Sequence, residues 1–167
     1  MRICIARNAE ARTNAAIARI TDALDSEANN IILLTRNRFA EKRKKINIIY
    51  YKTSHSFIPN YEISLKSQPG KGIINIFQLI HLQIIAFFWF FKNRNKFDVI
   101  HAFDLDMGLP AYLLSIITKK KYVYHIADFY VDSRGVPYIL KPIIRWLEFL
   151  VINRATATII CTEDRRS

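Results

Sequence analysis

The sequence predicts an α/β domain built on a doubly wound parallel sheet of about six strands, in the order 3-2-1-4-5-6, with helices on both faces. Three observations carry this. Short continuous apolar runs of strand length recur along the chain, as strands covered on both faces require. Segments with helical apolar spacing fall between most of them. Residues 97–130, FDVIHAFDLDMGLPAYLLSIITKKKYVYHIADFY, read as strand, polar loop, helix, strand and polar loop, with carboxylates delivered at the end of each strand.

Taken in order, Arg2 to Ala6 reads as a first buried strand. Ala16, Ile17, Ile20, Ala23 and Leu24 then share one helical face, and Thr13 is placed to cap that helix. Asn30 to Thr35 is a second strand and Ile46 to Tyr51 a third, with a basic loop between them. Lys52 to Pro69 is polar and aromatic, holds Pro59, and reads as a long surface loop. Ile73 to Phe91 is almost wholly apolar but interrupted by Asn75, Gln78 and His81 at three-residue intervals. That pattern fits a long helix packed on the sheet, a helix dipping into a membrane interface, or a membrane span. Val99 to Phe103 is the fourth strand, followed by a helix from about Leu109 with Pro110 in its first turn. Tyr122 to Ile126 is the fifth strand. Leu140, Ile143, Ile144, Leu147, Leu150 and Val151 recur at helical spacing before a sixth strand, Thr156 to Cys161.

The 167 residues suit one domain with a substantial core, and an apolar content of 51% argues against disorder. Cys4 and Cys161 fall in predicted strands, without the spacing of a zinc site or a disulfide framework. A reducing, cytoplasmic setting fits. The net charge of +11 is concentrated. Arg36, Arg38, Lys42, Arg43, Lys44 and Lys45 stand against Glu41 alone, and Lys119 to Lys121 form a second cluster. Such a surface is either a solvated face or one that favours phosphates and acidic lipid. No nucleic-acid recognition module accompanies it.

In the predicted strand order the chain reverses between strands one and four, where open parallel sheets bind ligands. The loops meeting there carry Arg7, Asn8, Glu10, Arg12, Asp104 and Asp106, with His125 and Asp128 at the end of strand five. Carboxylates accept from sugar hydroxyls and arginines fork onto phosphate oxygens, so the mixture suits a hydroxyl-rich or phosphorylated ligand. Each residue also has a structural alternative. Asp104 and Asp106 could serve the start of the helix, His101 and His125 could be buried strand histidines, and Arg7 and Arg12 could form ion pairs. No GxGxxG, GxxxxGK[ST] or GxSxG occurs, and no metal site or cofactor is expected.

FDVIHAFDLDMGLPAYLL followed by KKYVYHIADFY resembles the N-terminal domain of the family 4 glycosyltransferases, which have GT-B architecture, and LE at 147–148 with ATATIICTEDRRS resembles that family's next elements. The resemblance implies a Rossmann-like, acceptor-binding half of a two-domain enzyme. The donor domain, which holds most of the nucleotide-sugar, would lie outside residues 1–167. It implies metal-independent, retaining transfer in polysaccharide or glycolipid synthesis, on a sugar or lipid-linked acceptor, peripheral on the inner face of a membrane. In that reading Asp104, Asp106 and Asp128 orient acceptor hydroxyls, Arg7 and Arg12 meet a phosphate, and the chain alone has no turnover. Arg36 to Lys45 and the aromatic end of the 87–91 segment would face the membrane. The chain departs from the family in lacking paired glycines after the first strand and in having Ala127 where a histidine is usual. Asp128 is thus the one candidate catalytic position that transfers. The alternatives are a non-catalytic glycan- or anionic-lipid-binding module, or a sugar-nucleotide epimerase of similar build.

Overall fold

The computed structural model describes residues 1–27, 29–39, 45–66, 72–127 and 138–160, with the backbone alone at 72–75. Asp128, Glu41, Lys42, Arg43, Lys44 and Cys161 lie outside the described residues. The elements run β1 (Arg2–Ala6), a 3-10 turn (Ala11–Thr13), α1 (Ala15–Asp25), β2 (Asn30–Asn37), β3 (Ile46–Lys52), β4 (Phe57–Ser64), α2 (Gly72–Lys92), β5 (Val99–Phe103), α3 (Asp104–Thr118), β6 (Lys121–Ile126), a second 3-10 turn (Tyr138–Leu140), α4 (Lys141–Arg154) and β7 (Ala157–Ile160).

The fold is the α/β, Rossmann-like sheet the sequence predicts, with one strand more and a changed order. Among the described residues seven strands form one sheet, β3-β4-β2-β1-β5-β6-β7. Every neighbouring pair is parallel except β3 and β4. The added strand is β4, in the stretch expected to be a long loop. It forms a hairpin with β3, from Ile46↔Ile63 to Lys52↔Phe57, and inserts parallel to β2, so β3 stays at the edge but no longer neighbours β2. Pro59 is tolerated because the ladder with β2 begins only at the next residue, Leu33↔Asn60.

Two further boundaries differ. Asn14, not Thr13, caps α1, its Oδ1 accepting from the Ile17 amide at 3.1 Å. The helix after β5 opens at Asp104 rather than near Leu109, so Pro110 lies inside α3 instead of in its first turn.

The core has two layers because alternate residues of the central strands point to opposite faces. On one face α1 packs Ile17 against Ile3, Ile5, Ile31, Leu33 and Phe103. On the other, α2, α3 and α4 bury Leu82, Trp89 and Phe90, Met107 and Leu114, and Val151 against Cys4, Ala6, Ile100, Tyr122 and Tyr124. Gly108 sits where α3 passes close over Tyr124 of β6. A Cβ there would lie 2.6 Å from Tyr124 Cε2 and 3.1 Å from Val151 Cγ1. At the amino-terminal edge of the sheet the Arg2 guanidinium pairs with Asp98 and pulls its carboxyl down to about 2. Among the described residues no helix is long and apolar enough to cross a membrane.

Candidate functional site

The chain passes from β1 outward to β2, β4 and β3, then returns to place β5 on the other side of β1. The reversal thus falls between β1 and β5. In open parallel sheets ligands bind at such a reversal, outside the carboxyl ends of the strands. The residues following β1 and those opening α3 form the rim of the sheet there.

Asn8 organises that rim. Its Nδ2 donates to Asp106 Oδ2 at 2.5 Å, and its Oδ1 accepts from Arg36 Nη1 at 3.2 Å. Arg36 also donates from Nε to the Leu65 carbonyl at 3.0 Å, while its amide reaches the Ala9 carbonyl at 3.1 Å. A buried chain, Arg36–Asn8–Asp106, therefore ties the end of β2, the loop after β1 and the first turn of α3. Charged groups tolerate such burial when they are hydrogen-bonded to one another or to polar neighbours.

This corrects one expectation outright. Arg36 was expected on an exposed anionic-ligand surface, but it is 4% exposed and spent inside the rim. Of that cluster, Arg38 and Lys45 are exposed, and Arg38 Nη2 donates to the Asn8 carbonyl at 3.3 Å. Asp106 is fully buried, so its carboxylate holds the loop instead of facing solvent.

Asp104 is a junction. It adopts φ 52°, a left-handed conformation that Asp tolerates better than most residues. Its Oδ1 accepts from the Ala127 amide at 2.9 Å, which ties the start of α3 to the end of β6. His101 Nε2 and His125 Nδ1 are 3.1 Å apart and both rings are buried. Burial, and then the partner imidazole, pulls His101 down to about 4. Burial, and then the Arg7 guanidinium, does the same to His125. Both are neutral at physiological pH, and one ring donates to the lone pair of the other. His125 stacks on Phe103 at 4.3 Å, and the Arg7 guanidinium lies 4.4 Å from the centre of the Phe103 ring.

The structure thus brings Arg7, Asn8, Asp104, Asp106 and His125 together at the carboxyl edge of the sheet. Arg12, on the exposed turn after β1, and Arg38 remain on its outside. An arrangement of this kind can present guanidinium groups to phosphate or hydroxyl oxygens over a rigid floor. Among the described residues no three His, Cys, Asp or Glu side chains group to hold a metal ion. Sequence reasoning missed Arg36 as an organiser. The available signal was a lone cation ending the apolar run NIILLTRN.

No family model and no curated protein matches the chain. Its fold is shared with solved structures at low identity. Sucrose-phosphate synthase from Thermosynechococcus elongatus superposes with a TM-score of 0.64 at 11% identity, over 93% of this chain and 41% of that one. MurG from Acinetobacter baumannii gives 0.53 at 12% identity, over 98% and 43%. UDP-GlcNAc 2-epimerase from Methanocaldococcus jannaschii gives 0.51 at 16% identity, over 96% and 39%. The chain accordingly spans about two fifths of the length of each of these proteins.

Proposed function

We propose that this chain is the acceptor-side half of a two-domain, nucleotide-sugar-dependent glycosyltransferase of GT-B build. The observation that carries the reading is the meeting, at the β1/β5 reversal, of the Arg36–Asn8–Asp106 chain with Arg7, and with Arg12 and Arg38 exposed beside it. The likeness to a sucrose-phosphate synthase and to MurG supports it. The share of those chains that is covered leaves room for a second domain that binds the nucleotide-sugar.

In this reading the second domain supplies the donor, and no metal or resident cofactor is required. The chain positions the acceptor hydroxyl, and Arg7, Arg12 or Arg38 faces a phosphate of acceptor or donor. Positioning and stabilisation of the leaving diphosphate then provide most of the rate. Asp128, a family-matched acidic position, stays a candidate contact. The acceptor is a sugar or a lipid-linked sugar in polysaccharide or glycolipid synthesis, handled at the cytoplasmic side of a membrane. A second reading, epimerisation of a nucleotide-sugar, draws on the likeness to the UDP-GlcNAc 2-epimerase.

Calorimetry on the parent chain and on Arg12→Glu/Arg38→Glu, titrated with a panel of sugar phosphates and nucleotide-sugars, tests the site. Binding by the parent that weakens about tenfold or more on charge reversal supports it, since charge-assisted contacts carry that much free energy. Equal binding by both removes it. Transfer of labelled sugar by the isolated chain would overturn the division of labour, and conversion of a nucleotide-sugar to its epimer would favour the second reading.

A further inference from the structure

Strand β3 is a seven-residue edge whose outer side pairs with nothing among the described residues. The backbone groups it presents follow from its inner partner. The Thr53 amide donates to the Ser56 carbonyl at 2.9 Å and the Ser64 amide to the Lys45 carbonyl at 3.0 Å, at the two ends of one register with β4. Hydrogen-bonded and non-hydrogen-bonded pairs alternate along an antiparallel ladder. Lys45, Asn47, Ile49, Tyr51 and Thr53 therefore turn their amides and carbonyls toward β4. Ile46, Ile48, Tyr50 and Lys52 turn theirs outward, a row of donors and acceptors that another strand can take.

The usual guards against such pairing are missing. Edge strands are kept apart by proline, by a bulge, by a charge within the strand, or by being short. INIIYYK has no proline and no charge before Lys52, and its register with β4 runs unbroken from Ile46 to Lys52. The opposite edge, β7, is only four residues long. The side chains along the outward row are apolar and open. Ile48 is 61% exposed, Tyr50 67%, and Phe57, opposite Lys52 on β4, 67%.

The strand's own sequence selects its partner. Two antiparallel strands related by a twofold axis normal to the sheet set one residue opposite its own copy. Only with Ile49 at that centre does all of β3 pair. Ile48 then lies opposite Tyr50 of the second copy, twice over, and Ile46 opposite Lys52. These are the residues whose backbone groups face outward, so every outward amide and carbonyl finds a match. Aromatic and β-branched residues are favourable cross-strand neighbours. No lysine meets a lysine, because Lys45 falls opposite Thr53.

We propose that this chain forms a closed dimer by antiparallel pairing of β3 with β3 of a second copy about Ile49, joining the two sheets into one. The interface is isologous and uses the edge once, so assembly stops at two copies. Strands β4 and β2 separate it from β1, so the carboxyl rim at β1 and β5 takes no part. The inference does not depend on the sugar-transfer reading and is tested without any sugar.

Sedimentation equilibrium of the 167-residue chain over a concentration series is the first measurement. A monomer–dimer equilibrium is expected, tighter at high salt because each copy carries a charge of +11 and the copies repel. Ile48→Lys/Tyr50→Lys and Ile48→Glu/Tyr50→Glu, both at exposed positions, leave circular dichroism unchanged and weaken association at least about tenfold, since like charges then stand opposite one another. The glutamate variant lowers the net charge, which separates this effect from general repulsion. Mixing the two double variants restores a dimer. The register is read in a Cys161→Ser background. There Ile49→Cys forms a disulfide-linked dimer on mild oxidation, as the roughly 4.5 Å between Cα atoms of a non-hydrogen-bonded pair permits, and Asn47→Cys does not. A monomer throughout the series, a dimer untouched by either double variant, or crosslinking of Asn47→Cys as readily as Ile49→Cys would each overturn the proposal.

Discussion

Asn8 and Asp106 stand 98 residues apart in sequence and 2.5 Å apart in space, the amide Nδ2 of one donating to Oδ2 of the other. That bond joins the two halves of the sheet at the point where the chain reverses. Asn8 also accepts from Arg36, so a neutral amide separates a buried cation from a buried anion and serves both. Asn8→Ala should therefore cost roughly 1–3 kcal/mol, the penalty for taking a hydrogen bond from buried charged groups. Urea unfolding measures it. In the Asp106→Leu background the same change should cost clearly less, because the anion that Asn8 serves is gone. Equal costs in both backgrounds would show that Asn8 acts alone.

Gly108 tests how tightly α3 is seated. Alanine is favoured over glycine inside an exposed helix by about 1 kcal/mol. At this position the new methyl would meet the Tyr124 ring at 2.6 Å and Val151 at 3.1 Å. The ring cannot easily yield, because the Tyr124 hydroxyl donates to buried Glu148 at 3.1 Å. Overpacking of this kind costs about 1–3 kcal/mol, so Gly108→Ala should lower the thermal midpoint despite its better helix propensity. A raised midpoint would mean that α3 shifts freely on the sheet.

The same glycine shows what a one-dimensional reading can and cannot extract. Strands β1, β5 and β6 were legible because each is a continuous apolar run buried on both faces, and their parallel pairing places the reversal at β1/β5 as read. Strand β4 was not. FIPNYEIS breaks its apolar pattern with Pro59, Asn60 and Glu62, the composition of a loop. Asn60 is nevertheless buried, its Oδ1 accepting from Thr35 Oγ1 at 2.8 Å, so the strand satisfies a polar side chain through a partner that only the fold brings near. The start of α3 failed for a related reason. DLDMGLP collects residues that favour turns, yet Asp104 and Asp106 find partners at Ala127 and Asn8, and Gly108 is required by contact with Tyr124. In the candidate site the residue types were legible and their depth was not. Arginine and aspartate at strand ends suit a ligand by residue type alone, and only the fold shows that Arg36 and Asp106 are buried away from one.

The histidine pair makes stability depend on pH. His101 and His125 titrate at about 4 in the folded chain against an ordinary value of 6.5. Between these values the unfolded chain binds more protons, so their contribution is fully present above 6.5 and drains as pH falls toward 4. Asp98, held at about 2 against 3.8, loses its contribution only in that lower window. The urea midpoint should fall with pH across the upper window and flatten there in the double variant His101→Phe/His125→Leu. An unchanged slope would place the titration elsewhere.

Asp104 combines a left-handed backbone with a hydrogen bond that crosses from α3 to β6. The two demands can be separated by substitution. Asn keeps both the tolerance for positive φ and an acceptor oxygen, and loses only the charge near the helix amino terminus, so Asp104→Asn should cost under about 1 kcal/mol. Gly removes any backbone strain but also the acceptor, and the two effects nearly offset at about 1 kcal/mol each. Leu takes away the acceptor and adds a side chain that resists φ 52°, so Asp104→Leu should be the least stable by roughly 2 kcal/mol or more. Denaturant midpoints for the three variants check the order Asn, Gly, Leu. If Leu proved as stable as Asn, neither the backbone conformation nor the bond to the Ala127 amide would be holding the junction, and the rim of the sheet at β1 and β5 would rest on the Asn8 chain.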